Sequence, residues 1–133
     1  MKLGFTGTSR GATRAQLLTL RTWLLYPVEL IKEATIREFH HGLCVGADEQ
    51  AHRLARQRVH IWIVGHPPIK KHKLAKVDCD ELRPEKDYLD RNQDIVDETD
   101  ALIATPREEY EVLRSGTWST IRRAVKARKP VYV

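Results

Sequence analysis

Apolar residues along this chain alternate between short continuous runs and stretches with a helical period. Leu3-Gly-Phe-Thr6 reads as a strand and runs into a turn of small residues, Gly7-Thr-Ser-Arg-Gly11. Over residues 13 to 25, Leu17, Leu20 and Leu24 recur on one helical face, which Leu18 and Leu25 widen. Pro27 predicts a stop near Tyr26, and residues 28 to 36 read as a short extra helix. Arg37-Glu-Phe-His40 is weakly strand-like and leads into His41-Gly-Leu-Cys-Val-Gly-Ala-Asp48. The following helix carries Ala47, Ala51, Leu54 and Ala55 on one face. So much alanine predicts close packing on a sheet. Val59-His-Ile-Trp-Ile-Val64, β-branched and aromatic, is the clearest strand.

After Gly65-His-Pro-Pro68 the periodicity disappears, and residues 67 to 84 read as a long loop. Such connections inside a compact domain are often functional. Residues 85 to 98 predict a third helix, carrying Tyr88, Leu89, Ile95 and Val96, and Asp100-Ala-Leu-Ile-Ala-Thr105 predicts the next strand. A loop with an acidic stretch, Glu108-Glu-Tyr-Glu111, precedes a last helix expected to bury Trp118, Ile121, Ala124 and Val125. Val131-Tyr-Val133 closes the pattern as a strand. The order β-α-β-α-β-loop-α-β-α-β predicts one α/β domain over residues 1–133, with a mainly parallel five-stranded sheet and helices on both faces.

Sheets of this kind bind ligands beyond the carboxyl ends of their strands. Four loops of chemical character fall at that edge: Gly7 to Gly11, His41 to Asp48, the loop after Val64, and Pro106 to Thr117. In the last of these, Ser115-Gly-Thr117 opens a helix. Free amide N–H groups, two hydroxyls, a glycine that permits close approach and the positive end of the helix suit a phosphate. The plainer alternative is an ordinary N-capped helix.

Composition narrows the class. At 133 residues with 41% hydrophobic and 31% charged residues, the chain reads as one globular domain. No apolar run approaches the roughly 20 residues that span a bilayer, and no signal-peptide pattern is present, so a cytoplasmic protein is expected. Cys44 and Cys79 lack CxxC spacing and read as reduced thiols. The net charge of +5 fits an anionic partner. His40, His41, His60, His66 and His72 lack a paired-ligand pattern with a helical carboxylate, so they read as structural or solvated and no metal is expected. Neither GxGxxG nor GxxxxGK[ST] occurs, which argues against an NAD-type Rossmann site and a P-loop; no cofactor is expected.

Four segments in order, Gly4-Phe-Thr-Gly-Thr-Ser-Arg10, His41-Gly-Leu-Cys-Val-Gly-Ala-Asp48, Arg91-Asn92 with Asp97 to Pro106, and Ser115-Gly-Thr117, resemble the SLOG superfamily. That group unites the DNA-processing protein DprA/SMF with the LOG proteins. The resemblance spans nearly the whole chain and is strongest with short standalone nucleotide-binding members. It implies a Rossmann-like three-layer α/β/α sandwich that binds a nucleotide or nucleotide-derived ligand, and a homo-oligomer. Carried over residue by residue, Gly7, Thr8, Ser9 and Arg10 form the first loop, and Gly42, Gly46, Ala47 and Asp48 the second. Ser115, Gly116 and Thr117 hold phosphate, with Arg91 and Asn92 on the helix entering the site. A guanidinium at Arg91 suits bidentate phosphate contact.

The LOG enzymes cleave the N-glycosidic bond of nucleoside monophosphates and carry Pro-Gly-Gly-x-Gly-Thr-x-x-Glu. Here Pro106 is followed by Arg107 and a longer acidic loop, and the glutamate position is Thr120. A threonine does not stabilise an oxocarbenium-like state as a carboxylate does. The substitutes are Asp48 and a loop glutamate, Glu109 foremost. Three readings result: a module that senses, carries or sequesters a nucleotide-like ligand; a nucleoside 5′-monophosphate glycosidase using Asp48 or Glu109; and a DprA-like nucleic-acid binder using Lys70 to Lys73 and Arg122 to Lys129. The Glu108 to Glu111 stretch beside the phosphate helix weighs against a long polyanion.

Overall fold

The computed structural model of the chain describes residues 1–25, 36–58 and 60–133. Among these residues the elements run β1 (Lys2–Gly7), α1 (Arg14–Leu25), β2 (Glu38–His41), α2 (Ala47–Ala55), β3 (Trp62–Gly65), β4 (Glu81–Leu82), α3 (Tyr88–Asp97), β5 (Ala101–Thr105), α4 (Gly116–Lys126) and β6 (Val131–Tyr132). The short helix expected over residues 28 to 36 lies outside the described residues except for Ile36, and so does Val59 of the predicted third strand.

Every neighbouring pair of strands is parallel, and their spatial order is β4-β3-β2-β1-β5-β6. From β1 the chain winds outward through β2, β3 and β4, then returns to β5 on the other side of β1. The loops after β1 and β5 therefore part at their carboxyl ends and open a crevice between them. The register sets Gly7 beside Thr105 at that rim.

The layers follow from side-chain alternation along the strands. Leu3, Phe5, Phe39, Ile63 and Ile103 point to one face, where Leu20 and Leu24 of α1 and the alanines of α2 cover them. Leu102 and Ala104 point to the other face and meet Ile95, Val96, Ile121 and Ala124 from α3 and α4. All five residues of β5 are buried, as a central strand covered on both sides requires. The alanine face of α2 sits on the sheet as expected, with Ala47, Ala51 and Ala55 almost fully enclosed. Thr13 and Gln16 cap the start of α1 reciprocally, each side chain accepting from the other's amide, at 2.9 and 3.1 Å.

Three expectations need correction. Six strands form the sheet rather than five, because β4 lies inside the stretch that read as a loop. Two residues carry no period, and their strand is held instead by Asp80, which takes the Ile63 amide on its Oδ2 at 2.8 Å and pairs with Arg56 at 2.7 Å. Val125 is exposed rather than buried, because Thr117, Thr120, Ile121 and Ala124 form the covered stripe of α4 and turn it away from Val125. Leu18 is exposed for the same kind of reason, since Leu20 and Leu24 set the buried side of α1.

Candidate functional site

The crevice is a cavity of about 420 Å³, within the range that encloses a small ligand. Its first wall is the turn after β1. Thr8 donates its amide to the Thr105 carbonyl at 3.2 Å, and its own carbonyl takes the Gly11 amide at 3.1 Å. Its hydroxyl takes the Arg10 amide at 3.2 Å. Gly11 closes this turn at φ 94°, a conformation that favours glycine. The Ser9 amide has no acceptor among the described residues.

The second wall is the loop between β2 and α2. Asp48 is buried and draws this loop tight, its Oδ2 accepting from the amides of Gly42 and Cys44 at 3.1 Å each. Arg91 reaches the same loop from α3. Its Nη1 donates to the carbonyls of Gly42 and of His66, the latter at 3.1 Å, and its Nε donates to Asn92 Oδ1 at 2.8 Å. Arg91 is thus first a brace between two loops and α3. Among the described residues its Nη2 has no acceptor.

The third wall is the start of α4. Ser115 is its N-cap and accepts the Trp118 amide at 3.2 Å. The plain capping role and the phosphate-site geometry coexist here, because the cap uses the third amide of the helix. The amides of Gly116 and Thr117 have no acceptor among the described residues. A Cβ built on Gly116 meets no atom of the described residues within 4 Å, so the approach at this position is open.

Gly7, Thr8, Ser9, Arg10 and Gly42 line the cavity, as do Asp48, Arg91 and Asn92. Ser115, Gly116 and Thr117 complete the carried-over residues that do so. Gly46 and Ala47 do not line it; they join the first two walls. Ala47 donates its amide to the Thr8 carbonyl at 3.0 Å, and a Cβ on Gly46 would stand 2.3 Å from the Ser9 carbonyl oxygen. Gly46 also sits at φ 87°. Gly46→Ala is therefore expected to lower stability by about 2 kcal/mol through backbone strain, read as a shifted urea midpoint; an unshifted midpoint would refute the close packing of the two loops. Glu109 is exposed and lies outside the cavity, whereas Glu108 lines it.

Several residues that line the cavity were not among those read as the ligand site. His72 and Lys73 come from the stretch that read as a loop. Backbone bonds between Val45 and Lys73 at 2.9 Å and between Ala75 and Leu43 at 2.8 Å tie that stretch to the second wall. The basic run Lys70-Lys71-His72-Lys73 was its only sequence signal. Arg107 adds a further cation, and Tyr88 and Leu89 give an apolar side. Arg10, Lys73, Arg91 and Arg107 face the cavity against the carboxylates Asp48 and Glu108, so the local field favours an anion.

Burial pushes the Asp48 carboxyl up to about 6, although Arg91 and the two loop amides act the other way. A folded-state value above the ordinary 3.8 means that the native fold favours protonated Asp48. That stabilisation is fully present below about pH 3.8 and is lost as the pH rises through about 6. Relative to Asp48→Asn, the native protein is expected to lose roughly 3 kcal/mol between acid and neutral pH. Urea unfolding of both proteins along that range checks it, and a pH-independent difference would contradict it. Burial also raises the Cys44 thiol, helped by the Asp48 charge, so this cavity thiol stays protonated at neutral pH.

No protein-family model matches the sequence, and no curated protein matches it significantly. Solved structures do match. The molybdenum cofactor binding protein from the phototrophic bacterium Rippkaea orientalis superposes with a TM-score of 0.69 at 24% identity, over 98% of this chain and 75% of that one. The molybdenum cofactor carrier protein of Chlamydomonas reinhardtii gives a TM-score of 0.62 at 20% identity, over 98% and 75%. The structural-genomics target TM1055 gives 0.63 at 17%, over 98% and 72%. Likeness at these identities establishes a mainly parallel, Rossmann-like α/β fold over nearly the whole chain.

Proposed function

We propose that this protein binds a small phosphorylated heterocycle, a nucleotide or nucleotide-derived compound, in the crevice between β1 and β5. The observation that carries this reading is the uncovered pair of amides at Gly116 and Thr117, facing a cavity with an excess of cationic side chains. The phosphate is expected at the start of α4 and near the Ser9 amide, with Arg10, Lys73 and Arg107 neutralising its charge. The apolar side at Tyr88 and Leu89 suits the flat face of the heterocycle. Two of the similar structures are molybdenum cofactor proteins by name, and the sequence resembles the nucleotide-binding SLOG group. Both support binding of a small phosphorylated ligand.

The test is to denature the protein as purified, identify what it releases by mass spectrometry, and titrate that compound and AMP calorimetrically into the emptied protein. Saturable binding that inorganic phosphate weakens supports the reading. Absence of both a released compound and any binding would sink it.

One observation favours the glycosidase alternative: Asp48, with its raised carboxyl, lies in the cavity. Thr120, at the position of the LOG glutamate, is fully buried and donates its hydroxyl to the Gly116 carbonyl at 2.9 Å. Any hydrolysis therefore falls to Asp48 or Glu108. Free base released from AMP by the native protein and lost in Asp48→Asn would establish it.

A further inference from the structure

Away from the crevice, the sheet encloses a histidine pair whose hydrogen bonds do not close. His40, on β2, and His66, just after β3, are 0% and 1% exposed. His40 Nδ1 lies 2.9 Å from His66 Nε2. The two outer nitrogens both face carboxylates. His40 Nε2 is 2.9 Å from Glu38 Oε1, and His66 Nδ1 is 3.6 Å from Glu98 Oε2. A carboxylate only accepts, so each outer nitrogen needs a proton, and the contact between the rings needs a third. Two neutral imidazoles hold only two protons. With Glu38 fixing the proton of His40 on Nε2, Nδ1 presents its lone pair inward. His66 then donates from Nε2 and leaves a bare Nδ1 opposite Glu98, and that nitrogen has no hydrogen-bond partner among the described residues. The cluster is short of one positive charge.

We propose that His40, His66 and Glu98 form a binding site for a divalent transition-metal ion of the zinc class. Two imidazoles and one carboxylate are a donor set that such ions take. One donor atom of each residue lies within 4.8 Å of the other two. At Zn–N distances of about 2.0 Å, tetrahedral geometry separates two ligand nitrogens by about 3.3 Å. When the His66 proton moves to Nδ1, facing Glu98, Nε2 is freed, and its 2.9 Å gap to His40 Nδ1 is a few tenths of an ångström short of that spacing. Glu98 has to swing inward about its contact with Arg83, and its side chain is 31% exposed. The supporting groups are in place. Glu38 orients the His40 ring, as a carboxylate behind a ligating histidine does. Arg83 holds Glu98 Oε1 at 2.7 Å and leaves Oε2 toward His66.

A second cluster, His41, His52 and Cys79, has the same ligand types but closed hydrogen bonding. His41 Nδ1 takes the Leu43 amide at 3.1 Å, so Nε2 carries the proton and donates it to His52 Nδ1 at 3.0 Å. The Leu43 amide pins that proton on Nε2, so His41 cannot free the nitrogen by a tautomer shift, whereas His66 can move its proton to Nδ1. This cluster serves as the internal control.

The experiment uses the full untagged chain, freed of metal by chelation. Zinc is titrated calorimetrically, and cobalt(II) is followed by its visible absorption. One equivalent per chain is expected. Glu98→Gln, at a half-exposed position that leaves the core alone, should weaken binding at least about tenfold. His66→Gln should abolish it, while His52→Gln and Gly116→Asp leave it unchanged, which separates this site from the crevice. No stoichiometric uptake at micromolar zinc, affinity unchanged by Glu98→Gln, or uptake lost in His52→Gln would each overturn the proposal.

Discussion

Gly116→Asp is expected to lower affinity for a phosphorylated ligand by roughly three orders of magnitude, about 4 kcal/mol, while the fold stays intact. The two effects separate because the positive helix end that would hold a phosphate holds the new carboxylate instead. The first turn of α4 contains no acidic residue, so an aspartate there gains from the positive end of the helix by about 0.3–1 kcal/mol. Its side chain enters open space, since no atom of the described residues stands within 4 Å of the new Cβ. The same carboxylate then occupies the place offered to a phosphate and presents a like charge to it. Gly116→Ala is the matched control: it fills one methyl's volume, adds no charge, and should retain most of the affinity. Calorimetric titration together with thermal unfolding reads both quantities. Unchanged affinity in Gly116→Asp would remove α4 from the binding site, whatever happens to stability.

Arg91→Met is expected to destabilise the protein by about 3–5 kcal/mol. The side chain is 7% exposed and ties Gly42, His66 and Asn92 together. Removing it leaves two loop carbonyls without their donor and takes away the cation that favours ionised Asp48. Two further outcomes distinguish this account from simple loss of packing. The defect should shrink as the pH falls below about 6, because Asp48 then becomes neutral. Asp48→Asn combined with Arg91→Met should cost less than the sum of the two single substitutions, since the pair shares one electrostatic interaction. Urea unfolding across pH, on the four proteins of the cycle, measures both. Strict additivity with no pH trend would show that Arg91 acts by packing alone.

The parts of the site differ in how far they could be read from the sequence. The turn after β1 and the start of α4 were legible because small residues following an apolar run mark strand ends and helix starts wherever they occur. The role of Arg91 was read from its type, as a free phosphate ligand, yet two backbone carbonyls 49 and 25 residues earlier in the chain take up its Nη1. The contribution of His72 and Lys73 was obscured because their stretch has no period of its own and is ordered by borrowed partners, Leu43 and Val45 of the second wall. Gly46 and Ala47 looked like ligand contacts because glycine beside a helix start suits both a phosphate and another backbone. Here the neighbour is the Ser9 carbonyl.

The alternation of apolar runs and helical periods was enough to specify an α/β chain with parallel strands, because period-2 and period-3.6 patterns bury on different surfaces and dictate the layer each segment can join. Local chemistry also specified where the backbone would leave amides exposed. Tertiary structure alone decided which long-range partners meet. Strand register sets His41 opposite Gly65 and Gly7 opposite Thr105, and with them fall the histidine pair, the brace of Arg91 and the width of the crevice. Those contacts depend on distances between residues tens of positions apart, which no local pattern encodes; only the packing of the whole sheet fixes them.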